Sequence, residues 1–419
     1  MRFVIRGGSH LEGGIRILGA KNASAPLIAS TLLIQGEARF KNVPRISDVE
    51  RLLEILQGMG ARVEWTGEHD LLIDTANAVS AKIDKKKMKS MRSSILLLGP
   101  MLARFKKVMM PEPGGCIIGN RPIDTHLLAL GGLGAQIERD ADGTLYLEAK
   151  KLIGSRIILS EFSVTATENL IMAAVTAEGK TSIRLAAAEP HVQDLCHFLV
   201  AAGAKIKGIG THDLEITGVS QLKAPKPWTV VPDMLEIGTF AVAAALTRGD
   251  IDMSPVEPEN LDAIRSALNR VGVRHELDGK HFRVRGVGRM EAFRLQSMIY
   301  PGFPTDLQSL FGLLATQCHG TSLIHDPLFE GRMGYINELI KMGANAIIAD
   351  PHRAIVTGPT PLRGTEIRSL DLRAGATMVL AGLAAEGETI IHDAEMVYRG
   401  YEKIDERLRA VGAEIRKEE

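Results

Sequence analysis

One short pattern returns six times along this chain and restricts what it can fold into. A glycine, a small residue and a strand-like run occur at Gly60-Ala61-Arg62-Val63, Gly134-Ala135-Gln136-Ile137 and Gly203-Ala204-Lys205-Ile206. The pattern recurs at Gly272-Val273-Arg274, Gly343-Ala344-Asn345 and Gly412-Ala413-Glu414-Ile415. Successive glycines lie 69 to 74 residues apart. Self-similarity at a fixed spacing means repeated supersecondary units that bury their apolar faces against one another. At 419 residues the chain exceeds one ordinary core, so the six units must divide between two or three domains.

Each marker closes an amphipathic helix. In the first copy Ser47 and Glu50 have the spacing of a capping box, and Val49, Leu52, Leu53 and Leu56 share one face. In the third copy Val192, Leu195, Cys196 and Leu199 repeat that face, which makes Cys196 a core residue. A second helix, apolar nearly all round and therefore buried, precedes each amphipathic one, over 23–34, 93–103, 165–177, 237–246, 307–318 and 374–385. Cys318 ends one of these and reads as structural. Short β-type runs such as Leu71-Leu72-Ile73, Leu145-Tyr146-Leu147 and Ala354-Ile355-Val356 fill the gaps.

The sixth copy stops just after Ile415, before its last strands. Residues 7–23 resemble 358–374 in spacing and type, so the N-terminal strands complete the sixth unit and close the chain in a circle. The expected fold is α/β (α+β), with six βαβαββ-type repeats, three per lobe. One lobe spans 21–230 and the other 1–20 plus 231–419. The joins, near Lys21 and Trp228 to Asp233, form a natural hinge, and the cleft between lobes is the default ligand site.

Helix N-termini carry partial positive charge, so basic residues there are mildly unfavourable. This chain nevertheless puts Lys21, Arg92 and Arg373 at the starts of buried helices and Arg121, Arg332 and Arg399 at the starts of amphipathic ones. Two cations about 6 Å apart at an effective dielectric of about 20 repel by about 3 kcal/mol. A phosphate or carboxylate reverses that sign, so the set points to anionic ligands. Pairing of each cation with a local acid is the competing reading. Asp233, Asp306 and Asp371 also open buried helices, where an aspartate serves as an N-cap or, facing a cation-lined cleft, as a base.

The stretch Pro113-Gly114-Gly115-Cys116-Ile117-Ile118-Gly119-Asn120-Arg121 leads into a helix start at Pro122 and Asp124. Three glycines beside a thiol and a guanidinium read as a lid carrying a reactive group, or else as a surface turn with an incidental thiol.

Fifty basic residues balance fifty acidic ones, which argues against general affinity for nucleic acid or anionic membrane. No apolar run is long enough to span a bilayer, and the start lacks a signal-peptide pattern. Three widely spaced cysteines fit a reducing compartment, hence the cytoplasm. The histidines are scattered, no Cys-x-x-Cys occurs and no phosphate-binding Gly-x-x-x-x-Gly-Lys loop is present, so neither a metal nor an organic cofactor is expected.

The residues Gly19-Ala20-Lys21-Asn22, Met91-Arg92, Pro113-Gly114-Gly115-Cys116 and the run Gly119-Asn120-Arg121-Pro122-Ile123-Asp124-Thr125-His126 resemble those of the enolpyruvyl transferases. So do Phe303-Pro304-Thr305-Asp306, Phe329-Glu330-Gly331-Arg332, Asp371-Leu372-Arg373 and Arg399-Gly400-Tyr401-Glu402. The resemblance runs from end to end. It implies two lobes, each an inverted α/β barrel of three repeats. It also implies transfer of the enolpyruvyl group of phosphoenolpyruvate to the 3-hydroxyl of UDP-N-acetylglucosamine, the first committed step of bacterial peptidoglycan synthesis. The loop cysteine separates that branch from the one acting on shikimate 3-phosphate.

By matching positions, the resemblance assigns Cys116 as the acid that protonates the methylene carbon, Asp306 as the base on the sugar hydroxyl and Lys21 to the catalytic set. Lys21, Asn22, Arg121, Arg332, Asp371, Arg373 and Arg399 would bind phosphoenolpyruvate. Asn22, Arg92, Arg121, Pro122, Asp124, His126, Ser163, Val164, Asp306 and Leu328 would bind the nucleotide sugar. His126 reads equally as a hydrogen-bonded structural residue.

The chain departs from the family pattern at Glu161-Phe162, Thr165, Met234 and Tyr335, all expected on the nucleotide or peripheral side. These leave open an altered nucleotide-sugar acceptor. Transfer to shikimate 3-phosphate and a non-catalytic nucleotide-sugar sensor are the other readings.

Overall fold

The computed structural model describes residues 1–80, 85–89, 91–111, 114 and 122–419. The chain divides into two compact units, one formed by Met1–Leu18 with Pro232–Glu419 and the other by the described residues of 19–231.

In the first unit three four-stranded sheets share one topology. A short strand lies parallel to the first strand of a repeat, and the two remaining strands run antiparallel. Arg294–Gln296 pairs with Gly320–His325, which pairs with Arg353–Gly358 and through it with Asn345–Asp350. Glu12–Arg16 pairs in parallel with Asp250–Ser254, followed by His281–Arg285 and Arg274–Asp278.

The third sheet shows how the circle closes. Glu366–Arg368 lies parallel to Glu388–His392, and the N-terminal strand Arg2–Arg6 inserts between Glu388–His392 and the C-terminal Glu414–Glu418. Arg2–Arg6 thus fills the place that a repeat's own last strand fills elsewhere, and the next strand, Glu12–Arg16, passes to the neighbouring sheet.

The same four-strand pattern appears in the second unit at Trp228–Thr229, Ala38–Lys41, Leu71–Asp74 and Arg62–Trp65, and at Arg156–Ile158, Lys180–Arg184, Asp213–Thr217 and Lys205–Lys207. In the remaining repeat three strands are described, Lys107–Met110, Leu145–Glu148 and Gln136–Arg139.

All six marker glycines have left-handed backbone, with φ from 85° to 108°. A side chain there would strain the backbone, and the turn lets the chain leave the helix directly into a strand. The preceding helices bury one face: in Asp262–Val271 the buried residues are Ile264, Ala267, Leu268 and Val271.

The apolar helices lie inside. Met234–Leu246, Gln308–Ala315 and Leu372–Ala384 pack on one another in the first unit, and nearly every residue in them is buried. Their hydroxyls pair internally, as where Thr377 Oγ1 donates to Ser309 Oγ at 2.8 Å.

The segment expected as one helix over 93–103 is instead a 3₁₀ stretch, Arg92–Leu97, followed by the helix Leu98–Phe105. Pro100 cannot donate to the preceding turn, which favours the tighter winding. Asn169 satisfies the backbone around it, donating to the Ile95 carbonyl at 3.0 Å and accepting from Gly99 N–H at 2.6 Å.

The helix Ser47–Met59 starts one residue ahead of the expected capping box. Ile46 occupies the cap position without a side-chain bond, and its carbonyl accepts from Glu50 N–H. The Glu50 carboxylate faces Arg45 at 3.6 Å.

Candidate active site

Three of the residues singled out from the sequence form one cluster, at the start of the buried helix Gln308–Ala315. Asp306 lies in a 3₁₀ turn, Thr305–Leu307, that precedes this helix. Its Oδ1 accepts from Arg332 Nη2 at 2.6 Å and its Oδ2 from Arg373 Nε at 3.2 Å. Arg332 opens the 3₁₀ turn Arg332–Gly334, with its guanidinium 5.1 Å from the centre of the Phe329 ring. Arg373 is the second residue of the helix Leu372–Ala384 and is only 5% exposed.

The electrostatics favour an anion. Two guanidiniums share one carboxylate, so the trio carries an excess positive charge. Arg332 Nε is buried with no acceptor among the described residues. A buried donor left unpaired costs about 1–3 kcal/mol, which an anionic ligand or a trapped water would relieve. For Arg373, burial opposes the charge, but Tyr401, Asp306 and Asp233 outweigh it and raise the guanidinium above its ordinary value.

The two companion aspartates behave differently. Asp371 caps the helix Leu372–Ala384, its Oδ1 accepting from the backbone of Arg373 at 2.7 Å and Ala374 at 3.1 Å. Asp233 caps Met234–Leu246 by accepting from Leu235 N–H at 2.8 Å. Burial pushes its carboxyl up to about 6, with Arg373 opposing and Glu236 adding to the shift.

The cations are not left in bare like-charge crowding. Lys21, the first residue of Lys21–Ser30, pairs with the buried Asp48 at 2.8 Å. Asp48 lies on the inward face of its helix, four and seven residues from Leu52 and Ile55, and an acid at that spacing was the available sequence signal. Arg399 does not open an amphipathic helix. It ends the 3₁₀ stretch Ala394–Arg399, and the next helix is Ile404–Ala410.

Arg92 opens Arg92–Leu97, and its Nη2 lies 3.4 Å from the Pro122 carbonyl. Asn22, half-buried, follows Lys21 in its helix, whereas Asp124 is exposed at the start of Asp124–Gly132. His126 is buried, and its Nε2 lies 2.8 Å from Thr165 Oγ1. That bond draws His126 to the start of the helix Val164–Ala174, where Ser163 Oγ accepts from Ala166 N–H at 3.3 Å and Val164 is half-buried.

Leu328 is exposed, and its backbone N–H donates to Asp326 Oδ1 at 3.0 Å. Asp326 also accepts from Thr305 Oγ1 through Oδ2. This fully buried carboxylate therefore ties the turn carrying Asp306 to the segment carrying Leu328, a role that the sequence reading missed. An acid directly after the strand Gly320–His325 was its only mark. Cys116 and Arg121 lie outside the described residues, as does most of the glycine-rich stretch. Burial pushes the thiols of Cys196 and Cys318 up to about 12, in keeping with structural roles.

A family model described as EPSP synthase (3-phosphoshikimate 1-carboxyvinyltransferase) matches residues 5–408. The chain belongs to this family of enolpyruvyl transferases. A UDP-N-acetylglucosamine 1-carboxyvinyltransferase of Bradyrhizobium diazoefficiens is 42% identical over 425 residues, spanning 100% of this chain and 98% of that protein. Its namesake in Koribacter versatilis is 43% identical, spanning 99% of this chain and 96% of its own. Among solved structures, the enolpyruvyl transferase NikO of Streptomyces tendae superposes with a TM-score of 0.90 at 24% identity, over 99% of this chain and 98% of that one. EPSP synthase of Acinetobacter baumannii gives 0.76 at 20% identity, over 99% and 100%. Those likenesses bear on the fold: a two-lobed, inverted α/β barrel architecture.

The departures noted in the sequence now have places in this enolpyruvyl transferase. Thr165 holds His126, Phe162 meets His212 edge-on at 5.3 Å, Glu161 is exposed and Met234 opens Met234–Leu246. Tyr335 is not peripheral. It is fully buried, its hydroxyl accepts from Gln308 Nε2 at 3.0 Å, and a Cβ on Gly312 would stand 1.9 Å from that hydroxyl. Glycine at 312 is therefore what lets tyrosine occupy 335.

Proposed function

We propose that the chain transfers the enolpyruvyl group of phosphoenolpyruvate to the 3-hydroxyl of UDP-N-acetylglucosamine, releasing phosphate and serving peptidoglycan synthesis. The observation that carries this reading is the trio Asp306, Arg332 and Arg373, with its excess positive charge and a buried Arg332 donor free among the described residues. A small substrate bearing both phosphate and carboxylate suits such a site. End-to-end likeness to proteins named for this activity supports the same substrate pair.

In the proposed chemistry Asp306 takes the proton of the sugar hydroxyl as its oxygen bonds to C2 of phosphoenolpyruvate. Cys116 delivers a proton to the methylene carbon, giving a tetrahedral adduct. The Cys116 thiolate takes a proton back from the new methyl group as the C2–O bond to phosphate breaks, and the proton held by Asp306 leaves with the phosphate, giving the enolpyruvyl ether and restoring both side chains. Lys21, Asn22, Arg121, Arg332, Arg373 and Arg399 hold phosphoenolpyruvate, and Asp371 serves the same site by capping the helix that carries Arg373. Arg92, Pro122, Asp124, His126, Ser163, Val164 and Leu328 serve the nucleotide sugar. No described helix is long and apolar enough to cross a membrane, and we place the reaction in the cytoplasm.

The test is product analysis. Incubation with phosphoenolpyruvate and UDP-N-acetylglucosamine is expected to yield one enolpyruvyl nucleotide sugar per phosphate released, by mass spectrometry and colorimetry. Phosphate release with shikimate 3-phosphate alone, or nucleotide-sugar binding without any release, contradicts it.

A further inference from the structure

Tyr401 stands in a motif singled out from the sequence, yet nothing so far gives it a function. It is fully buried, and so is Thr239 on the helix Met234–Leu246. The Tyr401 hydroxyl lies 3.1 Å from Arg373 Nη1 and 2.8 Å from Thr239 Oγ1. The Arg373 guanidinium also sits over the Tyr401 ring, 5.4 Å from its centre.

The direction of each hydrogen bond follows from what each group can do. A guanidinium only donates, so the phenol oxygen accepts from Arg373. Thr239 Oγ1 lies 2.8 Å from the Leu235 carbonyl, which only accepts, so the single Thr239 proton goes there. The phenol proton is left for Thr239 Oγ1. The result is a one-way relay from Arg373 through Tyr401 and Thr239 to the Leu235 carbonyl, in which the Tyr401 and Thr239 hydroxyls each accept one hydrogen bond and donate one.

The relay fixes the Arg373 fork. Nε points to Asp306 and Nη1 to Tyr401, two contacts that set both the plane and the roll of the guanidinium. Nη2 has no partner among the described residues and is held where those two contacts leave it.

We propose that Tyr401 is a positioning residue for the transfer, holding Arg373 so that it engages Asp306 and presents Nη2 to the anionic substrate. The proposal rests on the transfer reading above. Tyr401 itself touches no substrate and acts through Arg373.

The experiment measures phosphate release at saturating UDP-N-acetylglucosamine while phosphoenolpyruvate is varied. Tyr401→Phe keeps the ring and removes the acceptor. It is expected to raise KM for phosphoenolpyruvate about tenfold or more, the size of a lost hydrogen bond to a charged group. The calorimetric Kd for the nucleotide sugar is expected to stay within about twofold. Thr239→Val removes the far end of the relay and is expected to shift the same KM in the same direction by less, whereas Thr239→Ser restores it. The serine–valine pair decides the matter if Tyr401→Phe does not fold. A KM unchanged in both Tyr401→Phe and Thr239→Val, with losses confined to kcat and matched by a lower folded fraction, means Tyr401 only packs and overturns the proposal. Absence of phosphate release from the unaltered protein is a different failure: it removes the transfer reading, and this inference falls with it.

Discussion

Asp306 and Asp371 occupy equivalent places in neighbouring repeats, each at the entrance to a buried helix of the same unit. Asp371 spends its carboxylate on its own backbone, capping Leu372–Ala384 at 2.7 Å and 3.1 Å. Asp306 lies inside a 3₁₀ turn and gives both oxygens to guanidiniums that arrive from 26 and 67 residues away. One aspartate stabilises a helix and the other assembles a charged site. The repeat supplied the position, and the partners brought by folding decided the role. Asp233, in the third equivalent place, sides with Asp371 as a cap.

The contrast can be broken by substitution. Asp306→Asn keeps the shape and removes the proposed base, so phosphate release is expected to fall by about 10²–10⁴-fold while the protein stays folded. A variant that keeps full turnover would reduce Asp306 to a structural ion-pair partner.

Asp233 gives the next largest effect, through pH. Its folded carboxyl titrates near 6, above its ordinary value, because burial disfavours its charge. The folded state therefore holds a proton that the unfolded chain has released between about pH 4 and 6, and stability attributable to this group falls as pH rises through that window. The effect amounts to at most about 3 kcal/mol. Asp233→Asn is expected to remove this part of the slope in denaturant unfolding followed from pH 4 to 7, and an unchanged slope would contradict the assignment.

Asp371→Ala is expected to produce the smallest change, a loss of about 0.5–2 kcal/mol in unfolding free energy from the missing cap. A much larger loss would mean that Asp371 carries more than its two backbone bonds.

The large features were legible because they are periodic. Six glycines at regular spacing announced six helix-to-strand steps, which proved to be left-handed turns, and the truncated sixth copy announced that N-terminal strands would complete it, as Arg2–Arg6 does. Periodicity says nothing about pairing across repeats. Lys21 looked like an uncompensated cation because Asp48 reads as an ordinary first-turn acid, and only the fold turns it inward. Tyr335 looked peripheral because its complement is the missing side chain of Gly312. Arg399 precedes an amphipathic helix in sequence, but the chain takes a 3₁₀ stretch first and the helix begins five residues later. The relay through Tyr401 joins two helices, Met234–Leu246 and Leu372–Ala384, through a residue in the turn before Ile404–Ala410, beyond the reach of any local pattern.

The buried Nε of Arg332, unpaired among the described residues, is a donor that an anion would satisfy. Calorimetric titration of phosphoenolpyruvate in the presence of UDP-N-acetylglucosamine, comparing the unaltered protein with Arg332→Gln, tests it most directly. Affinity is expected to be weaker by about tenfold or more in the variant, since a charge-assisted bond is worth about 1.5–3 kcal/mol. Equal affinities would mean that Arg332 does no more than neutralise Asp306.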